Sequence, residues 1–241
     1  MAEFKFPTEE IELPSKGLIY PKDNPLSSGK VEIKYMTAKE EDILTNSSFI
    51  KKGNVLDKLL ESVIISKIDI DDLIVGDKNA LLIATRILGY GSQYEVEING
   101  EKETIDLSQL ENKEFDESQI TQGLNEFQFT LPHTQTPITY KILTGKDEKK
   151  LEKEIEGIKR IKKDSNPSLS TRLKYIITSV NGDTERKDIN EFVDGYLLAK
   201  DSKALRDHIK ETQPDVDLNV IIDSGQEVRI PIGLGFFWPD A

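Results

Sequence analysis

The sequence predicts an α+β protein: a helical core with a small antiparallel β insert and a C-terminal β-hairpin. Three observations carry this. Apolar residues recur at helical spacing before residue 92 and again after residue 144, and between them the period drops to two. Near the end of the chain alternation returns around a Ser-Gly turn. The expected organisation is an extended N-terminal arm over 1–36 and a first helical part over 37–92. A β-rich insert over 93–143 follows, then a second helical part with hairpin and aromatic tail over 144–241.

The arm carries Pro7, Pro14, Pro21 and Pro25. Each proline lacks an N–H and restricts its neighbour, so no helix forms there. Strand-like pieces lie at 10–13 and 31–35, where Val31, Ile33 and Tyr35 alternate with charged residues. Leu18, Ile19 and Tyr20 form an apolar plug between Gly17 and Pro21. Such an arm either covers its own domain or reaches a neighbour.

Helical spacing begins at Thr37, where Thr37 and Glu40 have the spacing of a capping box. Asn54 is placed to cap a second helix with Leu56, Leu59, Leu60, Val63 and Ile64 on one face. Asp77 is placed to cap a third over 78–88, the most apolar in the chain, which Gly89-Tyr90-Gly91 ends. In the insert, Tyr94, Val96 and Ile98 alternate before Asn99-Gly100, a pair that favours a tight hairpin turn. The return strand is expected over 102–107, and two further strands over 127–131 and 138–142. A charged helix follows over 147–163 with the narrow stripe Leu151, Ile155, Ile158 and Ile161. Asn166-Pro167 opens another helix, with Leu169, Leu173, Ile176, Ile177 and Val180 on its face. Helices over 188–198 and 202–212 precede the final strand pair, Val216 to Ile222 and Val228 to Ile232.

Composition excludes several function classes. Lys and Arg number 32 against 44 Asp and Glu, a formal charge of −12. Phosphate-backbone affinity rests on basic residues, so the balance opposes nucleic-acid binding. With no cysteine, thiolate zinc sites, thiol nucleophiles and disulfides are excluded. Hydrophobic residues at 37% still supply a core. No run approaches the ~18 apolar residues that span a bilayer, and the start, Met1 to Pro7, lacks the apolar run of a signal peptide. No membrane contact is expected.

No catalytic pattern stands out. His133 lies in a proline-flanked loop and His208 on a helix, which is not a ligand spacing. Gly89-Tyr90-Gly91-Ser92 follows a helix and lacks the Gly-Lys-Ser/Thr that completes a phosphate loop. Reading Asp69 as the start of a calcium loop puts Leu73, Ile74 and Ala80 where a ligand, a glycine and a glutamate are needed. The expectation is no cofactor, no metal and no enzymatic activity. The tail Phe236-Phe237-Trp238 sets three large aromatics side by side. They either lock the last strand onto the core or anchor a partner.

Three blocks resemble the hub proteins of T-even-type contractile phage baseplates. They are Leu13-Pro14-Ser15-Lys16-Gly17-Leu18-Ile19-Tyr20-Pro21, then Leu73 to Ala80 continuing to Arg86-Ile87-Leu88-Gly89-Tyr90-Gly91, then Phe236-Phe237-Trp238-Pro239. The resemblance implies a non-enzymatic component or assembly factor of the tail baseplate hub, whose partners are other hub or tail proteins. It places the chain in the virion baseplate or in the host cytoplasm during assembly. Some relatives carry Cys-x-x-Cys pairs where this chain has Asn99-Gly100, so a zinc role is removed here. The residues expected to meet partners are Leu18, Ile19, Tyr20, Asp72, Asp77, Phe236, Phe237 and Trp238. Two alternatives stand beside this reading: a transient chaperone for another hub protein, absent from the mature virion, and a hydrolase with an unrecognised acidic site.

Overall fold

Alternation in the arm produces a hairpin that lies on the chain's own helices. The structure, a computed structural model, describes residues 7–98, 101–161, 166–222 and 225–238. Strand β1 (Thr8–Glu12) pairs antiparallel with β2 (Lys30–Lys34), with Ile11 opposite Val31. Val31 and Ile33 are fully buried while Lys30 and Glu32 face solvent, as the period of two requires.

Short helices α1 (Ala38–Leu44), α2 (Ser47–Lys51) and α3 (Val55–Val63) follow, then the long α4 (Val75–Tyr90). The carboxylate of Glu40 accepts hydrogen bonds from the N–H and hydroxyl of Thr37 at 2.8 and 2.7 Å, so the expected cap forms. Asn54 occupies its N-cap position, but its side chain makes no capping bond. Helix α4 begins two residues before the expected cap. Asp77 therefore lies inside its first turn, buried, and serves a different purpose described below.

Strands β3 (Gln93–Ile98) and β4 (Glu101–Asp106) pair in the register a two-residue turn demands, Ile98 opposite Glu101. The turn Asn99-Gly100 itself lies outside the described residues. Strands β5 (Phe127–Thr130) and β6 (Pro137–Tyr140) do not extend this hairpin. They join β7 (Ile177–Val180) in a separate three-stranded sheet. The helix expected across 168–180 is cut short as a result: α6 is Ser168–Ile176, and the rest is strand. The run Ile176-Ile177-Thr178 is β-branched, which suits a pleated surface better than a helix. Leu169, assigned to the core face, is 48% exposed.

Helix α5 (Gly145–Ile161) buries Leu151, but its apolar stripe leaves the core, and Ile161 is 84% exposed. Helices α7 (Arg186–Gly195) and α8 (Ala199–Thr212) complete this half. The chain then returns to pair β8 (Asn219–Ile221) with β9 (Glu227–Arg229) and ends in a single helical turn, Leu234–Phe237.

The α+β architecture thus holds, but the linear segments expected from sequence do not match the packing units. One core joins the arm, α1 to α4, the β3–β4 hairpin, β8–β9 and the tail. The other joins β5, β6, β7 and α5 to α8. The expected insert over 93–143 is divided between them, as is the stretch over 144–241. Sequence distance is no guide here, because each strand pairs where it finds an apolar face to cover.

Candidate functional site

The site proposed from sequence is a set of residues on three distant segments. Helix α4 brings them together. Gly76 in its first turn lies against the backbone at Pro214, where a Cβ would stand 2.0 Å from the carbonyl oxygen, so no other residue fits without moving that segment. One residue further on, Asp77 is fully buried and accepts from three donors. These are the Ser15 N–H at 2.9 Å, the Ser15 hydroxyl at 2.6 Å and the Tyr20 hydroxyl at 2.5 Å. The Tyr20 oxygen in turn accepts the Ile74 N–H at 3.1 Å.

Ser15 is placed by a tight crossing of the arm. Gly17 has φ 75, and a Cβ on it would meet Gly29 nitrogen at 2.5 Å. Gly17 therefore combines left-handed backbone with direct backbone contact, which a side chain would prevent. Burial pushes the Asp77 carboxyl above its ordinary range; the Ser15 and Tyr20 hydrogen bonds pull it back, and the charge of Asp215 adds to the rise. Burial and the neighbouring Asp77 carboxylate push the Tyr20 hydroxyl up.

The other end of α4 holds the tail. Arg86 is 2% exposed and donates to the carbonyls of Phe236 at 3.2 Å and Gly91 at 3.0 Å. Its guanidinium lies 5.1 Å from the Tyr90 ring centroid. Phe236 packs on Tyr94 at 5.1 Å and edge-on to Phe237 at 5.5 Å, and Trp238 sits 6.5 Å from Tyr90.

This arrangement corrects the partner-binding assignment. Ile19, Tyr20, Asp77, Phe236 and Phe237 are all buried within their own chain, so they are not exposed anchors. Leu18 and Trp238 are half-buried beside them. Apolar surface next to a vacant internal face is covered from within when the chain can reach it. Asp72 is not a free acidic contact either. It accepts from Asn24 at 2.9 Å and from Lys146 of α5 at 2.6 Å. Lys146 also reaches Asp69 at 2.9 Å, and Lys149 reaches Asp71 at 2.5 Å. The acidic loop is thereby matched to the lysines at the start of α5. The adjacent carboxylates hold the Lys146 ammonium above its usual range.

Charge locks that sequence reading missed sit alongside these. Glu40, buried, accepts from Lys34 at 2.8 Å and Ser62 at 2.6 Å. Burial works against its ionised form, but these bonds and those from Thr37 outweigh it and hold its pKa at about 2. In the second core Asp201, also buried, accepts the N–H groups of His133 at 2.8 Å and Thr134 at 3.1 Å. These bonds overcome its burial and lower its pKa. The signal for Asp201 was faint: an acid in the first turn of a helix usually faces solvent. The two histidines are far from a ligand pair. His208 stacks on Phe129 at 4.5 Å, with Tyr140 edge-on at 5.8 Å, and burial lowers its pKa.

Among the described residues no group of three or more His, Asp or Glu is arranged to hold a metal ion. Among them, too, no helix is long and apolar enough to cross a membrane. Comparison with protein-family models, curated proteins and solved structures finds no match to this chain.

Proposed function

We propose that the chain is a non-enzymatic component or assembly factor of a contractile phage tail baseplate hub, acting through protein–protein interfaces. One observation supports this above the others. The three blocks that resemble hub proteins meet on one helix: Ser15 and Tyr20 on Asp77, and Phe236 on Arg86. A chance likeness scattered over the chain has no reason to converge on the two ends of one helix. The blocks read as the frame of a shared fold, and the surfaces that meet partners lie elsewhere on it. A net charge of −12 keeps such a subunit apart from its copies before assembly and favours basic partner surfaces.

Mass spectrometry of purified virions beside an assembly-stage lysate tests the proposal. Stoichiometric presence in the virion marks a structural subunit of the hub. Absence there, with a hub protein co-purifying from the lysate, marks a chaperone. Association with no tail protein at either stage would overturn the reading.

A further inference from the structure

The β3–β4 and β8–β9 hairpins each have two strands, so each keeps unpaired edges. A cleft of about 210 Å³ lies between one edge of each. Its walls are residues 103–106 of β4 and Val220 and Ile221 of β8 with the following Ile222, and Leu110 lines it as well. Register identifies which main-chain groups face it. Leu107 donates to the Ser92 carbonyl, so 94 with 105 and 96 with 103 are the hydrogen-bonded pairs of the first hairpin. The N–H and C=O of Thr104 and Asp106 then point away from β3. Ile222 donates to Gln226 and Ile230 to Leu218, which by the same alternation turns the N–H and C=O of Ile221 away from β9. Both walls therefore present the edge groups of a strand.

The composition of these edges is unequal. β1 carries Glu, and β2 and β4 carry both Lys and Glu, charges that discourage edge pairing. β8 reads Asn219-Val220-Ile221, with Ile222 following, and has no charge. Ile221 is 78% exposed at that edge. An uncharged β-branched edge left open is an aggregation hazard unless something covers it.

We infer that this cleft accepts one extended, basic segment of another protein as an added strand between β4 and β8. Apolar side chains of the segment would face Ile105, Leu110 and Val220, and basic ones would face Glu103, an acid on a wall that carries no Lys or Arg. A second copy of the chain fits poorly. Its described strands are already paired in hairpins or in the three-stranded sheet, and two copies at −12 repel one another. The inference deepens the assembly reading and rests on it for the identity of the partner.

The test places a photo-crosslinking amino acid at Thr104 or Ile221 of the full chain during assembly, with Arg229 on the far strand as control. Crosslinked peptides are then identified by mass spectrometry. The inference expects 104 and 221 to reach the same contiguous segment of one other protein, within a few residues of each other, with no crosslink from 229. Ile221→Pro removes an outward N–H while sparing the bonds to β9, and Ile221→Lys adds a charge at the edge. Either should lower capture of that segment about tenfold or more, with the tryptophan unfolding midpoint confirming that the variant is folded. Crosslinks to separate segments, to a second copy, or to nothing would overturn the inference. If the chain still co-purifies with hub proteins in that case, the hub reading survives alone. Convergent crosslinks to a protein of no tail would leave the strand cleft standing and remove the hub reading.

Discussion

The first core gathers side chains from residue 11 to residue 238 and closes on a contact between Arg86 and Phe236, whereas the second gathers from the single stretch 127–209. Both use a buried carboxylate to fasten a loop: Asp77 takes Ser15 and Tyr20, and Asp201 takes the backbone of His133 and Thr134. The carboxylates differ in environment. Asp77 is buried near a second acid and its pKa is raised, while Asp201 is satisfied by two N–H groups and its pKa is lowered. The first core depends on both ends of the chain and the second on neither. Long loop closure must precede the contacts of the first, so the second has the simpler route to its fold.

The largest expected effect comes from cutting the closure. Phe236→Ala should cost the first core about 3–5 kcal/mol, as for other buried aromatics. The sole tryptophan, Trp238, reports that core, and His208 on Phe129 reports the other. Tryptophan fluorescence should therefore show a lower denaturation midpoint, while the His208 ring resonances keep their native shifts to higher denaturant. Coincident loss of both signals would show that the cores are one cooperative unit.

Next in size are the carboxylate locks. Asp201→Ala removes the acceptor of the His133 and Thr134 N–H groups, which lie on exposed residues and can turn to water, at roughly 0.5–1.5 kcal/mol each. The loss should appear in the His208 signal first. Tyr20→Phe removes the hydroxyl bond to Asp77 and the acceptor of the buried Ile74 N–H, and should cost about 1–3 kcal/mol, read by Trp238. Effects that appear in the opposite core would break the comparison.

These locks also mark how far the sequence could be read. Periodicity located most of the helices, the two strand pieces of the arm and the β3–β4 hairpin, because each buries one local face, but it did not pair the arm's strands with each other. It could not assign β5, β6 and β7 to one sheet, since Ile177 to Val180 follows an apolar helix without a break. The tail and the arm were legible as apolar segments, but whether they meet their own core or a partner depends on what α4 offers 150 residues away. Nothing in the periodicity marks Arg86 or Asp201 as a buried charge. Only the loops that fold over them show it.

Acid should separate the cores by a smaller margin. Burial lowers the His208 pKa below 6.5, so protonating the unfolded chain costs the second core stability as pH falls through and below that value. Asp201 adds a further loss as pH falls below 3.8 toward its lowered native value. In the first core Asp77 has the opposite sign: its raised pKa means that stability is gained as pH falls through its native value and lost as pH rises through it. Glu40 works with the second pattern, and its contribution is lost only between 4.5 and about 2. Between pH 7 and 5, denaturation followed by His208 should weaken while that followed by Trp238 holds or strengthens. Parallel weakening would contradict the assigned environments.

The smallest effect belongs to the surface ion pairs between the cores. Lys149→Ala should cost no more than about 1 kcal/mol, and less at high salt, and Lys146→Ala should leave the denaturation midpoint nearly unchanged, since both lysines are exposed to screening solvent. The main-chain bond from Gly145 to the Leu73 carbonyl at 3.0 Å remains in either variant.

Amide hydrogen exchange on a chain ending at residue 233 reads the dependence of the first core on the tail, because that truncation removes Phe236 and Phe237 from around α4 and leaves 127–212 intact. Protection is expected to fall across β1, α4 and the β3–β4 hairpin while β5 to β7 and α8 stay protected. Unchanged protection in α4, or equal loss in both cores, would contradict the account.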